Sequence, residues 1–399
     1  MNENTESIAK SIVIVAARRT PIGAFQGVLS PVSAPNLSAA ASTACIEDAG
    51  IDAADIDEAI IGCVLPAGIG QAPARQAALA AGLPNHTGCM TINKVCGSGM
   101  KAAMLAHDLI LARSAKIVLA GGMESMSNAP YLLPKARSGY RMGHQEVVDH
   151  MFFDGLQDAY SGNMMGQYAE QTAERYEFSR EAQDNYAIES VRRAVAASEN
   201  GAFAAELAPV TVTQRKTQTV VETDEEPFRA NLERIPTLRP AFAKEGTVTA
   251  ATSSTIADGA ASLLLMSQSE ADQRGLTPLA RIAGHAGHSH EPEWFTTAPV
   301  SAIKKLHEKT GWSPDNVDLY EINEAFACVT MAAMTDVGLD HAKVNVNGGA
   351  CALGHPLGAS GARIMTTLIH ALRNRGGRRG IAALCIGGGE AVAVALEVI

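Results

Sequence analysis

Short runs of branched and apolar residues alternate with longer, helix-spaced runs along most of the chain, the rhythm of an α/β protein. S-I-V-I-V-A-A (11–17) predicts a strand, the stretch 36–50 a helix closed by Gly50, and A-I-I-G-C-V-L (59–65) a second strand. T-I-N (91–93) leads into a glycine-rich turn and the helical run M-K-A-A-M-L-A-H-D-L-I-L-A, after which K-I-V-L-A-G-G (116–122) predicts another buried strand. A second series opens near 279 with L-A-R-I-A-G, a helix from about 299, D-L-Y-E-I-N and a helix from about 324. It continues with K-V-N-V-N, a helix from about 359, I-A-A-L-C-I-G-G-G and A-V-A-V-A-L-E-V. Two similar βαβ arrays are therefore expected. C-G-S-G (96–99) and G-A-S-G (358–361) occupy like places in them; an ancient duplication would explain this echo, and so would the ordinary preference for Gly and Ser at tight strand-to-helix turns.

Between the arrays the texture changes. Residues from about 127 to 250 hold Met, Tyr, Gly and Asp around 140–168, a charged helix near 179–198, then polar and Pro-punctuated sequence, as expected of an inserted, loop-rich domain. Its later part carries Arg215, Lys216, Arg229, Arg234, Arg239 and Lys244, a local positive surplus that a solvated face beside Asp224, Glu225 and Glu226 would also explain.

A chain of 399 residues exceeds what one core usually covers, so two or three packed units are expected. The net charge of −10 speaks against general nucleic-acid binding, which needs concentrated Lys and Arg. The first ten residues lack a basic-then-apolar leader, and no stretch approaches the roughly 18 apolar residues of a membrane helix. A soluble cytoplasmic protein that meets no membrane is expected. Seven scattered cysteines (Cys45, Cys63, Cys89, Cys96, Cys328, Cys351, Cys385) form no C-x-x-C pair, so reduced thiols are expected rather than disulfides or a zinc site.

Four positions can carry chemistry. Cys96 lies between a strand and a helix, where unpaired amides and the helix dipole would lower its pKa and the small Gly97, Ser98 and Gly99 would admit a substrate. Cys385 ends a buried strand and precedes Gly387, Gly388 and Gly389, which could aim amides at an oxyanion or simply make the tight connection to the last strand. His355, in the rigid loop G-H-P-L-G-A-S-G, could take a thiol proton at neutral pH. Asn323, in N-E-A-F-A, could cap the following helix or hold a catalytic water. His285, His288 and His290 form H-A-G-H-S-H, but no carboxylate or cysteine lies at a metal-ligand spacing nearby, so no metal is expected. The remaining cysteines are assigned to packing.

Taken jointly, V-C-G-S-G (95–99), N-E-A-F-A (323–327), G-H-P-L-G-A-S-G (354–361) and C-I-G-G-G (385–389) resemble the signature of the thiolase family. The likeness extends to R-T-P-I-G (19–23), L-R-P-A-F (238–242), E-G-T-V-T-A (245–250), D-G-A-A (258–261) and N-V-N-G-G-A (345–350). Condensing enzymes of fatty-acid synthesis share the fold but place a histidine where this sequence has Cys385. The resemblance implies an α/β thiolase fold of five layers, α-β-α-β-α, with an N-terminal half at 1–126 completed by 257–277, an inserted loop domain at 127–256 and a C-terminal half at 278–399. It implies a homotetramer or homodimer acting on coenzyme A thioesters, with coenzyme A as substrate and product and no cofactor.

By the same resemblance Cys96 is acylated, His355 activates it, Cys385 is acid and base toward acetyl-CoA, and Asn323 positions a water. That water and His355 form one oxyanion site, the amides of Cys96 and Gly387 another. Ser254, Phe242, Met165, Phe295, Phe326 and Ala250 are expected at the substrate, and Arg229 at the adenine end. A-T-S-S-T-I-A (251–257) and M-M-G (164–166) depart from the family's commoner patterns, which bears on substrate preference. The bulk of Phe295 would favour acetyl and acetoacetyl groups. The implied activity is interconversion of two acetyl-CoA with acetoacetyl-CoA and coenzyme A. Thiolysis of longer or branched 3-oxoacyl-CoA and a non-catalytic acyl-CoA-binding relative are the competing expectations.

Overall fold

The computed structural model describes residues 11–399. Its first half runs β1 (Ile12–Arg19), α1 (Ala34–Ala49), β2 (Glu58–Gly62), α2 (Pro73–Ala80), β3 (Gly88–Ile92), α3 (Ser98–Leu111) and β4 (Ile117–Ser125). Helix α1 ends as the sequence foretells, at Gly50 with φ 63°, where its amide caps the carbonyls of Ile46 and Glu47. The inserted segment contributes α4 (Met165–Arg175), α5 (Arg180–Glu199) and a small hairpin, Val210–Gln214 with Thr217–Val221. The chain then returns to the first half as β5 (Ala257–Ser267). The second half follows as β6 (Ala280–Ser289), α6 (Ala298–Thr310), β7 (Leu319–Ile322), α7 (Ala327–Val337), α8 (Leu357–Arg375), β8 (Arg379–Ile386) and β9 (Glu390–Val398).

Strand pairing gives the two halves one topology. In the first, β1 runs antiparallel to β5 and β5 to β4, while β4, β2 and β3 are parallel neighbours. In the second, β6 is antiparallel to β9 and β9 to β8, and β8 is parallel to β7. The sheets join where β1 meets β6 through Val13 and Ile14. Five layers result: α1 and α2 outside the first sheet, α3 and α8 between the sheets, and α6 and α7 outside the second. The largest core lies in the middle layer, where Met100, Met104, Ile364, Met365 and Leu368 interleave with Leu263, Leu265, Leu384, Val394 and Leu396 of the sheets.

The pseudo-symmetry departs at K-V-N-V-N, which forms no strand beyond a single bridge from Val344 to Tyr320. Asn345 instead turns left-handed, at φ 47°, and its side chain stands in for a strand. Its Oδ1 accepts from the Ile322 amide and its Nδ2 donates to the Ile322 carbonyl, both at 2.8 Å. The helix expected from 324 starts only at Ala327, because Ala325 and Ala327 bond to the inserted segment instead of continuing a helix back to 324. The Ser254 amide donates to Ala325 O at 3.0 Å and the Ala327 amide to Thr252 O at 2.8 Å.

Buried charge fastens the insert to the first sheet. The Arg19 guanidinium, fully buried on β1, donates to Glu206 at 2.5 Å and to both oxygens of Asp224 at 2.7 and 2.9 Å. Each ion is desolvated yet multiply hydrogen-bonded, so removing one partner would leave an uncompensated buried charge.

The two inner helices cross closely because glycine lets them. A Cβ on Gly99 would lie 2.8 Å from the Ala362 amide nitrogen and 2.9 Å from the Gly358 carbonyl, and one on Gly361 would collide with the Met100 backbone. The motif echo C-G-S-G and G-A-S-G is thus also a contact in space. Gly99→Ala is expected to lower stability by about 1–3 kcal/mol through overpacking, although Ala gains up to about 1 kcal/mol over Gly inside a helix. Thermal unfolding checks this, and an unchanged or raised melting temperature would contradict so tight a crossing.

Candidate active site

The helix crossing sets the amino-terminal ends of α3 and α8 together, each with its preceding loop. Before α3, Val95 sits at φ 45°, a costly conformation for a β-branched residue, and side chains hold it there. Asn93 Oδ1 accepts from the Val95 amide at 2.8 Å, while Ser98 Oγ accepts from the Lys94 amide at 2.8 Å and donates to Val95 O at 2.7 Å. This braced turn presents the Cys96 sulfur to a chamber of about 800 Å³.

His355 faces the same chamber from the loop before α8. Its tautomer follows from proton bookkeeping. The Asn323 amide nitrogen, which can only donate, lies 3.4 Å from Nε2, so Nε2 carries a lone pair. The Ser360 hydroxyl donates to Pro356 O at 3.0 Å and therefore accepts from Nδ1 at 2.5 Å. Asn323 does not cap a helix, since Phe326 holds that position. Its Oδ1 is a buried acceptor with no partner among the described residues.

Burial governs the electrostatics. It pushes the His355 pKa down to about 3, with the Arg363 charge nearby adding to the drop, so the imidazole is neutral. The Cys96 thiol, expected to be lowered by its helix terminus, is instead pushed up to about 11. Amides of Gly387 and of Cys96 itself pull it back, but desolvation of the thiolate outweighs them. Cys385 is fully buried on β8 and raised further, by desolvation first and then by the charge of Cys96, whose field reaches it. The resting site thus holds two neutral thiols and a neutral imidazole.

The chamber walls collect most of the remaining sequence-derived residues. Met165, Phe242, Ser254, Phe295, Phe326 and Gly387 line it, together with Phe152, Leu156, Met164, Ser253 and Leu357. Cys385 packs directly behind this lining, in one apolar cluster with Phe295, Phe326, Met165 and Phe242. Gly387 to Gly389 connect β8 to β9, and the Gly387 amide turns to the Cys96 sulfur. Two expected residues lie elsewhere. Ala250 is exposed outside the chamber, and Arg229 is an exposed side chain paired with Glu225 at 3.2 Å.

Two buried carboxylates escaped the sequence reading. Glu124, at the end of β4, accepts from the amides of Val64, Leu65 and Gly358 at 3.0, 3.1 and 2.9 Å, tying the His355 loop to the first half. Burial outweighs these bonds and lifts it to about 7. Glu324 accepts from Tyr186 and Ser190 hydroxyls and the Asn345 amide at 2.8 Å each, and from the Cys351 amide at 3.0 Å. It fixes the segment that bears Asn323. The signal for Glu324 lay in N-E-A-F-A itself, where an acid follows the chemically suggestive asparagine; Glu124 has no such motif.

Comparison with known proteins gives the family. The family model described as Thiolase, N-terminal domain, matches residues 12–269, and Thiolase, C-terminal domain, matches residues 276–398. The chain is 49% identical to an acetyl-CoA acetyltransferase of Pseudomonas aeruginosa over 97% of its own length and 99% of that protein. It is 47% identical to acetyl-CoA acetyltransferase 2 of Arabidopsis thaliana, over all of both chains. The structure superposes on the Bacillus anthracis acetyl-CoA acetyltransferase with a TM-score of 0.95 at 41% identity, covering 98% of this chain and 99% of that one. It superposes on the Acat5 thiolase of Ascaris suum, solved in complex with coenzyme A, with a TM-score of 0.93 at 43% identity, covering 98% and 100%. Matches to both family models over nearly the whole chain, and relatives nearly half identical to it, show that the chain belongs to the thiolase family.

Proposed function

We propose that the protein is an acetyl-CoA C-acetyltransferase, which cleaves acetoacetyl-CoA with coenzyme A and runs the reverse condensation of two acetyl-CoA. The observation that carries this reading is the meeting of Cys96, the unprotonated Nε2 side of His355 and the Gly387 amide in one chamber, with Cys385 immediately behind its wall.

In the cleavage direction the Cys96 sulfur attacks C3 of acetoacetyl-CoA while its proton passes to His355 Nε2. The alkoxide at C3 is held by the amides of Cys96 and Gly387, preorganised donors in a largely buried site. The C2–C3 bond then breaks, its electron pair leaving as the enolate of acetyl-CoA. Protonated His355 and a water held by Asn323 stabilise the enolate oxygen, and the Cys385 thiol gives its proton to C2. Coenzyme A next attacks the acetyl group on Cys96, its thiol proton going to the Cys385 thiolate. The departing Cys96 thiolate recovers its own proton from His355, and the cycle closes. Every step uses thiols, an imidazole and amides, so coenzyme A enters as substrate and product.

Phe295, buried edge-on to Tyr168, with Phe326 and Phe242, narrows the chamber in favour of short acyl groups. One observation favours the second reading, thiolysis of longer or branched chains. A cavity of about 1030 Å³ abuts the chamber, sharing Gly155, Met165 and Gly387, and is lined further by Val95, Asp158 and Tyr160. We place the enzyme in the cytoplasm, where seven free cysteines stay reduced. A homodimer or homotetramer suits the apolar side chains of Tyr131, Leu133, Met142 and Val147, which stand exposed along one loop.

After mixing with acetyl-CoA, mass spectrometry should find an acetyl group on the Cys96 peptide, and Cys96→Ala should carry none. Cys385→Ala should retain acylation yet lose exchange of the acetyl-CoA methyl hydrogens with deuterated water; rapid exchange in that variant would exclude Cys385 as the base. Across a panel of 3-oxoacyl-CoA thioesters, acetoacetyl-CoA should have the highest kcat/KM. A severalfold advantage for chains of C8 to C16 would replace the short-chain reading with the second one. Because the folded Cys96 pKa is raised to about 11, its alkylation by iodoacetamide should be slow at neutral pH and still climbing above pH 9. A plateau near pH 7 would mean a preformed thiolate.

A further inference from the structure

Near the carboxyl end of α3, three potential metal ligands converge from two halves of the molecule. His107 and Asp108 lie in the last turns of the helix, and His285 lies on β6, opposite Val394 of β9. Asp108 Oδ1 is 3.0 Å from His107 Nδ1 and 3.0 Å from His285 Nε2, and all three ligand atoms fall within 4.8 Å of one another. The imidazole rings stand edge to face, with centroids 5.0 Å apart.

This grouping differs from a solvated acidic patch in two ways. Both histidine side chains are only 15% exposed, so their ring positions are set by packing. Among the described residues the Asp108 carboxylate has no Lys or Arg partner; its charge is met solely by the two imidazoles. Burial lowers the pKa of His285, with Asp108 opposing, and the two histidine hydrogen bonds, acting against a burial penalty, leave Asp108 lowered. The ring nitrogen of each histidine that faces Asp108 donates to its carboxylate, and a metal would take that place once the ring proton moves to the other nitrogen.

We propose that His107, Asp108 and His285 bind a divalent transition metal of the zinc class, which clamps the carboxyl end of α3 to β6 and so joins the two halves. Two imidazole nitrogens and one carboxylate oxygen are the ligand types such ions take, and Asp108, whose side chain is 51% exposed, leaves a side open for a water as fourth ligand. Tetrahedral ligands about 2.0–2.1 Å from zinc stand roughly 3.4 Å apart, so the nitrogens need close by no more than about 1.4 Å. Lys309 lies close by, its ammonium bound to the His285 carbonyl at 3.2 Å. Nine residues of helix, about 14 Å, separate His107 from the Ser98 end of α3, so the clamp acts on architecture and not on the reacting atoms.

The test titrates full-length protein, freed of metal by chelator and dialysis, with Co(II) and with Zn(II). The expected result is one equivalent of Co(II) with a ligand-field spectrum lacking thiolate-to-cobalt charge transfer, which separates this site from the cysteines. Zn(II) should raise the melting temperature. His285→Gln and Asp108→Asn should each weaken binding by at least about tenfold and abolish the thermal shift, with acetoacetyl-CoA thiolysis unchanged. Should His285→Gln fold poorly, Asp108→Asn, altered at a half-exposed side chain, carries the comparison. Absence of a bound equivalent, sulfur ligation in the spectrum, or wild-type affinity in Asp108→Asn would overturn the proposal. The binding, spectral and thermal readouts stand whether or not the acyl-transfer reading holds.

Discussion

Everything at the catalytic junction depends on how closely two helix amino termini can approach across the middle layer. Gly99 and Gly361 remove the side chains that would hold α3 and α8 apart, and Gly358 lets the start of α8 lie against Met123 and Cys63 of the first half. Gly122 of β4 likewise accepts the Gly358 carbonyl where any Cβ would collide with it. Because the Cys96 and His355 loops are the immediate leads into those helices, the helix crossing fixes how the Cys96 thiol and the His355 imidazole meet. Glu124 then locks the arrangement, accepting hydrogen bonds from both sides of the junction.

The same burial that gives the site its precision denies it a preformed ion pair. A thiol near 11 beside an imidazole near 3 keeps its proton until a carbonyl is present to take the electrons. Proton transfer and attack are thereby coupled, and a site without resident thiolate resists adventitious alkylation. Dryness also strengthens the amide donors of Cys96 and Gly387 toward an oxyanion, which in bulk water would be screened.

The reactive groups and much of the chamber wall come from different parts of the chain. Cys96, His355, Asn323 and Cys385 stand at ends of scaffold elements. Phe152, Leu156, Met164, Met165 and Phe242 come from the inserted segment. The reactive groups thus stand on the pseudo-symmetric frame, whereas the chamber wall is shared between the inserted segment and Phe295 and Phe326 of the second half.

What the sequence settled by itself were properties encoded within a few consecutive residues: strand and helix alternation, the Gly50 stop, the four glycine-flanked motifs and the reactive side chains inside them. These are local because hydrophobic period and backbone permissiveness act over a turn or two. The tertiary structure decided what depends on burial and on distant neighbours. A helix terminus suggested a lowered Cys96 pKa, but enclosure by the second half reversed it. K-V-N-V-N read as a strand until Ile322 took the Asn345 side chain as its partner. Glu124 looked like any acid ending a strand, and H-A-G-H-S-H lacked a carboxylate at useful spacing because Asp108 lies 177 residues away in sequence. Desolvation and cross-chain contact are created only when the two halves close on each other, so no local pattern could have carried them.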